Sequence, residues 1–118
     1  MATLRKFVDR LTKPVEDVDR EKLVRFCDEL GCHHCDELEP RSRAKVVGEV
    51  QAVRVVPRAG APSLEVTLTD GRGQITGVFF GRRRLAGLNP GRRLLMEGVV
   101  APQGKRNFMY NPVYELLP

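Results

Sequence analysis

The chain has 118 residues, 42% of them hydrophobic and 30% charged, a composition that folds and is unlike that of disordered segments. No apolar run approaches the roughly 20 residues a membrane-spanning helix needs. The net charge of +5 is split: residues 1–40 carry 7 Lys/Arg against 10 Asp/Glu, and residues 41–118 carry 13 against 5, which points to a polyanionic partner for the second part.

The first forty residues read as a helical appendage. Leu4, Phe7, Val8 and Leu11 recur at helical spacing behind Thr3, a candidate N-cap. Pro14 breaks the pattern, and Asp17 or Asp19 can cap a restart. Leu23, Phe26, Cys27 and Leu30 form a second stripe that Gly31 is placed to end. Met1 to Arg10 is charged and lacks the apolar core of a secretory signal. Together with an odd count of three cysteines, this leads us to expect a reducing, cytoplasmic setting.

From Arg43 the period changes from 3.6 to 2. Val46, Gly48, Val50 and Ala52 share one phase and Val53 and Val55 take the other, so a long first strand bends through a bulge. Pro57 to Pro62 reads as a loop. Leu64, Val66 and Leu68 alternate with polar residues as a half-buried strand, and Asp70-Gly71-Arg72-Gly73 is a hairpin turn. Gln74 to Phe80 is a third strand, Gly81 to Gly91 a loop or one short helical turn, and Leu94 to Val100 a fourth strand. Ala101 to Lys105 turns into a fifth strand, Asn107 to Leu117, broken at Asn111-Pro112. Five strands in this order, with a short insert between the third and fourth, predict a mainly β chain: an OB-fold Greek-key barrel over 41–118 behind the helical segment 1–40. An SH3-like barrel or an open meander shares the periodicity. The inward set is Val46, Val50, Leu64, Val66, Leu68, Ile75, Leu94 and Met96.

The stretch DGRGQITGVFFGRRRLAGLNPGRRLLMEGVV, followed by NFMYNPVYELL, resembles the OB-fold wedge domain of RecG-type DNA helicases and related small stand-alone bacterial OB proteins. Asp70, Gly71, Gly73, Val78, Phe79, Phe80, Leu88, Pro90, Gly91, Arg93, Gly98, Met109, Pro112, Tyr114 and Glu115 carry the likeness, which spans about two thirds of the chain. It implies contact with branched or single-stranded DNA. The phosphate-binding loop of the helicase motor is missing, so ATP-driven unwinding is not implied.

Read from the residues, the binding surface lies over strands two and three. With Ile75 and Phe79 inward, Gln74, Thr76, Val78 and Phe80 point outward, and Phe80 becomes a candidate platform for a base. Phe108 and Tyr110 flank Met109 and share the outer face of strand five beside Lys105 and Arg106. Arg82, Arg83, Arg84, Arg92 and Arg93 bracket the connector, while Arg54, Arg58 and Arg72 extend the basic track, giving salt-sensitive binding with little sequence preference. The same surface, or the acidic segment 1–40, could instead dock a protein partner.

No motif for nucleophilic, metal-assisted or dinucleotide-dependent catalysis occurs, so we expect no enzyme and no cofactor. The segment from Cys27 to Cys35, which ends in Cys32-His33-His34-Cys35, has ligand chemistry, but a structural zinc site draws its second pair of ligands from a distant segment and no Cys or His outside this stretch supplies one. Cys27 reads as a buried hydrophobe on its helix. The sequence therefore predicts no zinc and a fold that survives chelation.

Overall fold

A computed structural model describes residues 15–118. The stripe from Leu4 to Leu11, its cap at Thr3, the break at Pro14 and the charged N-terminal stretch lie outside the described residues. Helix α1 (Val15–Leu30) is already helical at Val15, ahead of the restart expected at Asp17 or Asp19. Leu23 and Cys27 are buried and Phe26 is half-buried, but Leu30, the last residue, is exposed. Gly31 ends the helix at φ +66°. Its N–H donates to the Asp28 carbonyl and the Cys32 N–H to that of Cys27, the paired bonds of a Schellman motif. A 3₁₀ turn (Cys35–Glu37) then leads to the sheet.

Seven strands follow: β1 (Arg43–Arg58), β2 (Ala61–Thr69), β3 (Gln74–Phe80), β4 (Arg93–Val99), β5 (Ala101–Gln103), β6 (Arg106–Tyr110) and β7 (Val113–Leu117). They form one sheet in the order β5-β6-β3-β2-β1-β4-β7. The long strand β1 is shared. Arg43 to Glu49 pair with β4, Glu49 to Arg58 pair with β2, and the register slips between Val50 and Ala52, where the change of phase places a bulge. At the crossover, a Cβ on Gly48 would overlap the Thr69 carbonyl oxygen, so only glycine lets the strands approach this closely.

The expected five-stranded barrel, closed or nearly closed, is corrected in two places. Asn111, at φ +48°, and Pro112 split the last strand, so that β6 runs parallel to β3 while β7 runs antiparallel to β4. The segment expected as a plain turn contains β5, a short edge strand hydrogen-bonded to β6. Consequently no ladder closes the sheet into a barrel. Its β6 and β7 regions are joined through two residues of backbone instead. The loop expected at Pro57–Pro62 is also tighter than read. Ala59 and Gly60, both at positive φ, make a two-residue hairpin, and Pro57 faces Pro62 across it at a pair that exchanges no N–H bonds.

Each of the eight residues expected inside is at most 1% exposed. With Phe79, Met109 and Val100 they form one core, which Tyr114 and Leu116 of β7 help to cover. Helix α1 lies against the β2–β3 turn. A Cβ on Gly71, at φ +89°, would strike the Arg20 carbonyl and the Val24 side chain. Among the described residues no helix is long and apolar enough to cross a membrane.

Candidate nucleic-acid interface

Strand β3 places Ile75 and Phe79 in the core, and the alternate residues Thr76, Val78 and Phe80 take the other face. The expected phase holds, yet of the outward set only Gln74 and Phe80, at the two ends of the strand, are exposed. Thr76 and Val78 are buried, a correction to their reading as contact residues. Parallel β6 is the reason: it sets Phe108 beside Thr76 and Tyr110 beside Val78, and long side chains cover the strand between them. Arg106 reaches back to donate to the Thr76 hydroxyl at 3.3 Å.

On this face three rings form a row. Phe80 and Tyr110 lie 5.7 Å apart between centroids with planes 9° from parallel, and Tyr110 and Phe108 lie 6.2 Å apart at 10°. Phe80 is 46% exposed, Tyr110 38% and Phe108 4%, so two rings offer faces or edges to solvent and the third backs them. The Arg106 guanidinium sits 4.7 Å over the Phe108 ring. Asn111 fixes the Phe80 end. Its side-chain oxygen accepts from the Phe80 N–H and its own N–H donates to the Val78 carbonyl. No feature of the sequence marked Asn111 beyond its turn chemistry.

Cations bracket the row. Beyond Phe80 the chain turns at Gly81 into exposed Arg82, Arg83 and Arg84. At the other end a shallow cavity of about 240 Å³ is lined by Gln74, Thr76, Lys105, Arg106 and Asn107. Thr76 to Phe80 alone spans about 13 Å at the usual rise of a strand.

The remaining arginines do not all join this surface. Arg54 and Arg58 converge on Glu65, at 3.2 and 2.8 Å, on the neighbouring strands β1 and β2. Arg72 turns the opposite way, to Asp36 at 3.0 Å and Glu37 at 2.6 Å. Arg93 stacks over the Phe26 ring of α1 at 4.6 Å, and Arg92, exposed, follows the connector where its carbonyl accepts from the Val50 N–H. Arg72 and Arg93 thus hold the helical segment to the sheet, a correction to their reading as parts of one phosphate track.

Glu65 reads as an ordinary outward residue in the alternation, but it is buried. Burial pushes its carboxyl up, yet hydrogen bonds from Arg58 and Arg54 and their charges outweigh that and hold it below its ordinary value of 4.5. Because the folded value is depressed, the stabilisation is present above the ordinary value and lost as pH falls through the lowered one. Glu65→Gln should cost about 1–3 kcal/mol at neutral pH. It should also remove that component of acid sensitivity, measured as denaturation midpoint against pH. Identical acid profiles for the two proteins would show that the pair is not the cause.

The CHHC stretch does not close on itself. Cys32 Sγ points to the Leu30 carbonyl, and His33 Nδ1 accepts from the Lys45 N–H at 3.1 Å. His34 and Cys35 face Asp70 of the β2–β3 turn. Burial, helped by the Asp70 carboxylate, pushes the Cys27 thiol up to about 12 and raises Cys35 further. Burial also raises Cys32. These are the opposite of the shifts that activate a nucleophilic thiol.

No protein-family profile and no curated protein matches the chain. Among solved structures, a chain from a replication protein A heterotrimer bound to single-stranded DNA is similar at a TM-score of 0.50, covering 75% of this chain and 74% of that one. The fold is OB-like. At 13% identity the likeness is one of architecture alone, and the finer resemblance to the RecG wedge has no matching profile behind it.

Proposed function

We propose that this protein binds single-stranded nucleic acid, with single-stranded or branched DNA as the favoured form, across the β3–β6 face and without catalysis. The observation that carries this reading is the row of Phe80, Tyr110 and Phe108 between Arg82–Arg84 and Lys105–Arg106. Aromatic faces accept any base, and flanking cations accept the phosphates on either side. The OB-like fold agrees, since the outer face of strands two and three is where such folds bind oligonucleotides. Neither rings nor cations in this arrangement read base edges, so little sequence preference follows.

Titration of the full chain with single-stranded DNA, RNA and duplex at several salt concentrations tests the proposal. If three to five of the flanking cations each neutralise a phosphate, the slope of log K on log salt should be about −2 to −3.5 for single strands. Single strands should bind more tightly than a blunt duplex of the same length. Absence of salt-sensitive binding to every nucleic acid at low ionic strength would hand the surface to a protein partner instead.

A further inference from the structure

The packing of α1 against the β2–β3 turn buries a set of donors from three separate segments. Cys27 comes from the last turns of α1, His34 from the link to β1, and Asp70 from the turn between β2 and β3. One donor atom from each lies within 4.8 Å of the others. Cys27 and Asp70 are fully buried, and the His34 side chain is 14% exposed. Asp70 thus supplies the ligand from a distant segment whose absence, in the sequence, argued against a metal.

The imidazole is already oriented. His34 Nε2 lies 2.7 Å from the Asp28 carboxylate, so in the neutral ring Nε2 donates there and the lone pair falls on Nδ1. That Nδ1 is buried, has no hydrogen-bond partner, and lies 3.9 Å from Asp70 Oδ2. A carboxylate behind the distal nitrogen is the arrangement that fixes metal-binding histidines. The Asp70 carboxylate is held rigid: Oδ1 accepts from the backbone N–H groups of Arg72 and Gly73, at 2.9 and 3.0 Å, and Oδ2 accepts from that of Cys35 at 2.6 Å, which leaves a lone pair on Oδ2, the oxygen nearest His34 Nδ1.

From this geometry we infer that Cys27, His34 and Asp70 bind a divalent cation of the zinc class, pinning the helical segment to the sheet. Sulfur, imidazole and carboxylate together suit such a borderline ion, and calcium or magnesium would not accept the thiolate. Tetrahedral coordination needs donor separations of about 3.4–3.8 Å, so donors that lie within 4.8 Å of one another draw together by about 1.4 Å at most on binding. Binding releases the Cys27 thiol proton to solvent as the Cys27–metal bond forms.

The test is zinc content of the purified full chain, followed by cobalt(II) titration of the metal-stripped protein. About one zinc per chain is expected, and cobalt should give intense visible bands of a tetrahedral ion with a thiolate charge-transfer band. Because Cys27→Ser or Asp70→Asn could unfold the buried turn, His34→Gln and the outer-shell variant Asp28→Asn carry the decision. Asp28→Asn should weaken zinc about 10–100-fold and His34→Gln at least as much, whereas Cys32→Ser, outside the cluster, should leave affinity unchanged. A metal-free protein that takes up no cobalt, a cobalt spectrum without the thiolate band, or affinity indifferent to His34→Gln would overturn the inference. His34 would then simply lie between the Asp28 and Asp70 carboxylates.

Discussion

Replacing Arg82, Arg83 and Arg84 together by alanine should flatten the salt dependence of single-strand binding by about 2 in slope, since each lost phosphate contact removes about 0.7. The loss should be uniform across sequences. Phe80→Ala and Tyr110→Ala should behave differently, each costing about 1–3 kcal/mol, or roughly five- to 150-fold in affinity, with the slope nearly unchanged. Stacking releases few counterions, and this contrast separates the rings from the cations. Phe108 is buried behind Tyr110, so Phe108→Ala would remove a support and is a poor probe of base contact. Arg72→Ala is the informative control. Its guanidinium is engaged by Asp36 and Glu37 away from the rings, and its removal should leave affinity within about two-fold. An Arg72→Ala effect as large as that of the connector would displace the binding face from β3–β6.

Gly48→Ala should destabilise the fold by about 3 kcal/mol or more, beyond the ordinary cost of an overpacked methyl, because the obstacle is backbone. Against a total stability of about 5–15 kcal/mol this is a large share, read as a fall of more than about 10 °C in the melting midpoint. Gly98→Ala is the matched control. It is also a strand glycine, but its new methyl would meet only Met109 and Pro112 at ordinary contact distances of 3.5 Å, so a loss within about 1 kcal/mol is expected. Equal effects at the two positions would mean that β1 and β2 are not as close at the crossover as described.

Much of the fold is legible because burial imposes period 2 wherever one face meets a core. Leu64, Val66 and Leu68 declare their strand, and the slip from Val50 and Ala52 to Val53 and Val55 marks the bulge that the register contains. Asp70 announces its turn through side-chain bonds to the backbone of residues 72 and 73. What stayed hidden depends on which segments meet. Thr76 and Val78 alternate outward, and only the parallel neighbour β6 buries them. Arg72 and Arg93 look the same as Arg82 in the sequence, yet acids on the preceding link and a ring on α1 claim them. Prolines at 57 and 62 concealed a tight hairpin, because proline is read as a breaker even where no ladder bond is needed. The donors of Cys27, His34 and Asp70 come from segments whose meeting no spacing rule foretells.

The parallel pairing of β3 with β6 also sets the order in which the ring row can be built. Every residue in that ladder is 32 positions from its partner, whereas the first rung of the β2–β3 hairpin joins Thr69 to Gln74. Closing the longer loop costs about 1–2 kcal/mol more chain entropy than closing the hairpin. Phe80 can therefore reach its place with the local meander, but Tyr110 and Phe108 cannot join it until that larger loop has been shut. The ring row is assembled by a long-range contact, so it exists only in chains that have completed the journey from β3 to β6.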